Sequence, residues 1–162
     1  MSKSIDLSRD VSSDHYKTQV LKKVIRVRDI PKEAYTSLMA TLDDVSSDHY
    51  TTEIIKDLLD KTLDENAPLQ DILNLVQSNV GSDHYSAVIF KQLAKQNLSD
   101  EQLIIALNAT SNVGSDHYMS VVLLAFAPQV NRSSSSVKDA FKKAAKSIGS
   151  DTYYGRVAKA ID

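Results

Sequence analysis

The sequence predicts an all-α fold, a right-handed α-α superhelix of stacked helix pairs (an α-solenoid), and three observations predict it. First, the word Val45-Ser46-Ser47-Asp48-His49-Tyr50 returns in close variants at Val11 to Tyr16, Val80 to Tyr85 and Val113 to Tyr118. A worn copy, Ile148-Gly149-Ser150-Asp151-Thr152-Tyr153, ends the series. Second, the steps between Asp14, Asp48, Asp83, Asp116 and Asp151 are 34, 35, 33 and 35 residues, the period of a helix-turn-helix repeat. Third, apolar residues recur at helical spacing on both sides of every word. Residues 1–162 therefore read as one repeat domain of about four and a half helix pairs of 33–35 residues.

In chain order, the stripes that follow the words are Tyr16, Val20, Leu21, Val24 and Ile25; Tyr50, Ile54, Ile55, Leu58 and Leu59; Tyr85, Val88, Ile89, Phe90 and Leu93; Tyr118, Val122, Leu123 and Phe126. Each describes the buried side of an amphipathic helix, the second of its pair. The stripes that precede the words are Ala34, Leu38, Leu42 and Val45; Leu69, Ile72, Leu73, Val76 and Val80; Leu103, Ile104, Leu107 and Val113; Val137, Ala140, Phe141, Ala144 and Ile148. These are the first helices. Pro31 and Pro68 suit a first helical turn. Ser99 with Gln102 makes a capping box, and Ser133 to Ser136 offer caps ahead of Val137. The first helices are thus expected to start near 31, 68, 100 and 136. Gly81, Gly114 and Gly149, with Ser12 and Ser46 in the same place, are expected to end the first helix with a left-handed angle. Residues 1–10 are too short for a whole first helix, and neither end shows the polar cap of a solenoid terminus. The expectation is a segment of a longer protein, or ends that stack on something.

Composition narrows the function. A hydrophobic share of 42% over 162 residues supports a core. No apolar run is long enough to span a bilayer, and Met1 to Asp6 do not resemble a signal peptide, so no membrane insertion is expected of this segment. There is no Cys, which removes disulfides, thiol nucleophiles and Cys-based zinc. A net charge of -2 argues against a nucleic-acid partner. A basic start (Lys17, Lys22, Lys23, Arg26, Arg28), an acidic middle from Asp43 to Asp71 and a basic finish (Lys138, Lys142, Lys143, Lys146) read as solvated helix surface. The acid pairs Asp43-Asp44 and Asp64-Glu65 lie at turns and read as caps. No phosphate loop, His-Glu-x-x-His pattern or nucleophile elbow occurs.

The word itself reads as a helix-start signal. Ser13, Ser47, Ser82, Ser115 and Ser150 stand where a hydroxyl caps a helix, and Asp14, Asp48, Asp83, Asp116 and Asp151 stand in the first turn, facing the positive end of the dipole; either residue could be the cap. Tyr16, Tyr50, Tyr85, Tyr118 and Tyr153 share a face with the apolar residue four places on, so each ring is expected between repeats with its hydroxyl bonded near the turn. His15, His49, His84 and His117 are expected to form a structural or surface row along one edge. Neighbouring side chains on a helix point about 100° apart, so consecutive Ser, Asp and His do not assemble a triad. Stacked helices about 8–10 Å apart hold successive His too far apart to share a metal. Catalytic, cofactor-binding and metal residues are accordingly expected to be none.

The run Ser13-Asp14-His15-Tyr16-Lys17-Thr18-Gln19-Val20-Leu21-Lys22, with its echoes at Ser47, Ser82, Ser115 and Ser150, resembles the Ser-Asp-Tyr-Tyr-Lys-x-x-Val-Leu two-helix repeats of bacterial proteins. These include tandem repeats in the extracytoplasmic tails of membrane-anchored zinc peptidases of the antirepressor sensor type. The chain is also similar to HEAT-like solenoids, and departs from the tetratricopeptide pattern in having no Trp. The resemblance implies a bacterial repeat protein, with an extracytoplasmic or periplasmic setting favoured over a cytoplasmic one. It carries over no catalytic residue, because the peptidase's zinc motif is missing. The functional expectation is a non-catalytic protein- or peptide-binding scaffold that uses an extended surface. The alternative is a structural spacer that self-associates through its chain ends, and an enzyme or metal protein built on the Asp-His row is the least favoured reading.

Overall fold

The computed structural model describes residues 5, 13–27, 30–61 and 69–162. Among them every regular element is helical and there is no strand, so the all-α helical-repeat expectation holds. The helices are α1 (Asp14–Val27), α2 (Lys32–Asp43), α3 (Asp48–Lys61), α4 (Leu69–Asn79), α5 (Asp83–Leu93), α6 (Asp100–Ala109), a 3-10 turn (Thr110–Asn112), α7 (Asp116–Val130), α8 (Ser135–Ala145) and α9 (Asp151–Ala158). Every described helix that follows a word begins at the word's Asp.

The chain forms two compact units, residues 1–85 and 86–162, and the division falls inside α5. In the first unit α1 packs on α3, α2 on α4 and α3 on α4. In the second, α6 packs on α8, α7 on α9, and α8 touches both α7 and α9. Within each unit second helices therefore stack on second helices and first on first, and the repeats bury their stripes against one another. Leu21, Ile25, Leu38, Leu42, Ile54, Ile55, Leu58, Leu59 and Ile72 are fully buried in the first unit, and Leu107, Val122, Leu123, Phe126, Val137 and Phe141 in the second. Leu73 and Ile89 are buried as well. Ile5, helical and fully buried, is the described residue ahead of Ser13.

The local signals meet three outcomes. Ser99 and Gln102 form the expected capping box: the Ser99 hydroxyl accepts from the Gln102 amide and the Gln102 side chain accepts from the Ser99 amide. Pro31 stands one place earlier than expected, as the N-cap of α2, while Pro68, Asp64 and Glu65 lie outside the described residues. The glycine expectation is corrected, since no described glycine has a positive φ. The first helix ends instead in an extended turn, as at Val113 (φ -81°, ψ 109°) and Ser115 (φ -86°, ψ 123°). An extended turn needs no left-handed residue, which is why Ser46 serves as well there as Gly81 and Gly149.

Candidate functional site

Each word places a Ser immediately before its helix, and at four of them a role in the backbone is seen. The carbonyls of Ser13, Ser47, Ser115 and Ser150 accept the first helical bonds from Lys17, Thr51, Met119 and Tyr154 at 2.8–3.0 Å. The hydroxyls of Ser115 and Ser150 make no capping bond, and neither does that of Ser134 at the start of α8. The hydroxyl-cap expectation fails at Ser115 and Ser150. At the words, the amides that gain a side-chain acceptor are those of the turn ahead of the helix.

They are served by the Asp of the preceding repeat. Asp14 accepts from the Ser46 amide at 3.2 Å and the Ser46 hydroxyl at 2.9 Å. Asp48 accepts from the Gly81 amide at 3.3 Å and the Ser82 amide at 2.9 Å. Asp116 repeats this with Gly149 at 3.1 Å and Ser150 at 2.8 Å. The carboxylate thus reaches 32 to 34 residues forward, binding the next turn as a charged acceptor with two oxygens. The same device serves the opposite end of a repeat in the second unit, where Asp100 accepts from the Ser134 amide at 3.2 Å. The hydrogen bonds from Ser134 hold the Asp100 carboxyl below its ordinary range.

Next to Asp14, Asp48, Asp83 and Asp116 the His is exposed, and the rings of His15, His49 and His117 each lie between two tyrosines. His15 meets Tyr16 at 5.4 Å and Tyr50 of the next repeat at 5.9 Å between ring centroids, and the Tyr50 hydroxyl stands 3.5 Å from His15 Nδ1. His49 meets Tyr50 at 5.3 Å and Tyr85 at 6.1 Å, and His84 meets Tyr85 at 5.3 Å. In the second unit His117 meets Tyr118 at 5.0 Å and Tyr153 at 5.7 Å. The edge-on and tilted geometries are those aromatic pairs prefer. The rings of Tyr50, Tyr85 and Tyr153 therefore pack between repeats, whereas Tyr16, 65% exposed, departs from that expectation; at Tyr50 the hydroxyl turns toward a histidine.

Three features escaped the sequence reading. Lys17 is buried, its ammonium 3.4 Å from the Asp44 carbonyl, so one cation of the basic start is an interior group with a snorkelling stem. Lys22 and Arg26 pair with Glu53 and Asp57 at 3.0–3.8 Å across α1 and α3, and Lys56 adds a second cation to Glu53. Burial pushes the Glu53 carboxyl up, but bonds and charges from Lys56 and Lys22 outweigh it and hold it below its ordinary range. Offsets counted from the words would have found these pairs, because Lys22 lies eight places after Asp14, and Glu53 and Asp57 lie five and nine after Asp48. Gln129 had no such signal. Its amide donates to the Ala94 and Gln96 carbonyls and accepts from the Leu98 amide, closing the loop before α6.

Among the described residues no group of three His, Asp or Glu is placed to hold a metal ion. No described helix is long and apolar enough to cross a membrane. Comparisons with protein-family models, curated proteins and solved structures find no match.

Proposed function

We propose that the protein is a non-catalytic scaffold that binds an extended peptide or protein segment along the row of word residues within a compact unit, without a cofactor and without a nucleic-acid partner. The observation that supports this reading is the division of labour inside the word. The Asp14, Asp48 and Asp116 carboxylates are occupied by turn amides, whereas the imidazoles of His15, His49 and His117 remain exposed and braced between two rings. A neutral imidazole offers one donor and one acceptor, the same pair an extended main chain displays. Bracing lowers the ordering entropy lost when a ligand binds. The bacterial, extracytoplasmic setting belongs to the same proposal and rests on the resemblance of the word alone.

The test is selection from a displayed random-peptide library, followed by affinity measurements on wild type and on the combined variant His15→Ala, His49→Ala, His84→Ala, His117→Ala. Recovered peptides are expected to bind the variant about tenfold more weakly or worse, the loss typical of removing central contacts. Equal binding to both proteins would move the binding surface away from this row.

A further inference from the structure

We infer that the segment bound by the second unit carries acidic side chains, and that Arg156 is the residue that reads them. The inference rests on the peptide-binding reading above and adds a charge to its ligand. In the last word Thr152 stands where the other four words have His, and Arg156 follows it by four places on α9. Residues four apart on a helix share a face, so the face that loses its imidazole gains a guanidinium one turn further on. No other word does this, since the place five after the Asp is held by Gln19, Glu53, Val88 and Val121.

The guanidinium is held in place and unspent. Its central carbon lies 5.6 Å from the centroid of the Tyr153 ring, and Tyr153 in turn meets His117 at 5.7 Å. Arg156 and His117 are both exposed, with the partly buried Tyr153 touching each. The ion pairs of the described residues all lie between Lys22 and Asp57, so no carboxylate competes for Arg156. Glu53, which holds the same place in the first unit, is spent on Lys22 and Lys56. Stacking on a ring restricts the Arg156 side chain before a ligand arrives, and its planar fork matches the two oxygens of a carboxylate. The surroundings have the same sign. From Arg132 to Lys159 seven Lys and Arg stand against two Asp, and α8, which bears the exposed Lys142 and Lys143, packs on α9. Val137 and Phe141 of α8 are fully buried, which leaves that helix no large apolar side chain to insert into a lipid surface and favours an acidic peptide.

Fluorescence anisotropy of a labelled octaglutamate peptide with the 162-residue chain tests it, octaglutamine serving as the neutral control. Octaglutamate should bind, more weakly as salt is added, and octaglutamine should not. Arg156→Gln should weaken octaglutamate binding about fivefold, the upper range for an exposed ion pair. Lys91→Gln, which removes an equal charge from α5, should leave it unchanged. Arg156→Lys keeps the charge without the fork and should fall between wild type and Arg156→Gln. Circular dichroism checks the fold of each variant. Absence of octaglutamate binding, undiminished binding by Arg156→Gln, an equal loss in Lys91→Gln, or tighter binding to phosphatidylserine vesicles than to octaglutamate would each overturn the inference. The last would assign the basic stretch to an anionic membrane surface. The two readings fail separately: selected peptides that bind wild type and the four-His variant equally remove the row, whereas octaglutamate binding indifferent to Arg156 removes the acidic preference alone.

Discussion

The α1–α3 junction in the first unit and the α7–α9 junction in the second are closed by the same carboxylate and lined by different chemistry. At the first, Lys22 and Arg26 face Glu53 and Asp57 in a cluster of ion pairs. At the second, the positions of Lys22 and Glu53 are held by Leu124 and Arg156, and residues 86–162 contain no ion pair. There Leu124 is 38% exposed and Asn131 does the polar work, its side chain donating to the Ala160 carbonyl and accepting from the Asp162 amide. What the two junctions share is what the word encodes. A constant polar fastening at one end of the helix leaves the rest of the contact free to be charged or apolar.

The comparison can be broken at its base by emptying each core. Phe126→Ala should cost about 3–5 kcal/mol and Leu58→Ala about 2–5 kcal/mol in denaturant unfolding, because both side chains are fully buried and leave cavities. The carboxylates come next. Asp48→Ala and Asp116→Ala should each cost about 1–3 kcal/mol, and by similar amounts, since each releases two turn amides. Unequal losses would mean that the junction lining, not the word, sets the strength of the fastening.

Smaller effects should separate the junctions. Glu53→Gln should cost about 0.5–1 kcal/mol at low salt and less at high salt; the second unit's junction, with Leu124 and Arg156 in these places, has no such ion pair to lose. Acid should act in the same sense. The Glu53 and Asp100 carboxyls are both held below their ordinary values of 4.5 and 3.8 when folded. The unfolded chain therefore takes up these protons first as pH falls, and their stabilisation, complete above the ordinary values, is lost as pH drops through the folded ones. Urea midpoints measured from neutral pH downward should show the decline beginning in that acid range, and Glu53→Gln should flatten it. The smallest change expected is for His49→Asn, about 0.5 kcal/mol, the value of an exposed ring contact.

Much of this fold could be read before any coordinates. The word marked where every second helix starts, because Asp at the first helical position is a local preference written in adjacent residues. The stripes located Leu58, Leu73, Ile89 and Leu123 in the core for the same reason. The target of the Asp side chain could not be read locally, since its bonds are made 32 to 34 residues away and the nearer hydroxyl of Ser looked sufficient. Gly81 and Gly149 misled in a related way: their small size suggested an angle, whereas the space near them is shared with the Asp48 and Asp116 carboxylates, 3.9 and 3.5 Å from where a Cβ would stand. Within the candidate edge, the exposure of His15, His49, His84 and His117 was foreseeable from a helix start. The bracing of His15, His49 and His117 by the following tyrosine was not, because it depends on how one repeat is set against the next.

The forward reach of Asp14, Asp48 and Asp116 has a consequence for how such a chain changes length. Each repeat arrives with a clasp for its successor and an eyelet for its predecessor. A whole repeat copied or lost by recombination therefore leaves every surviving joint matched, and no fresh contact has to be evolved.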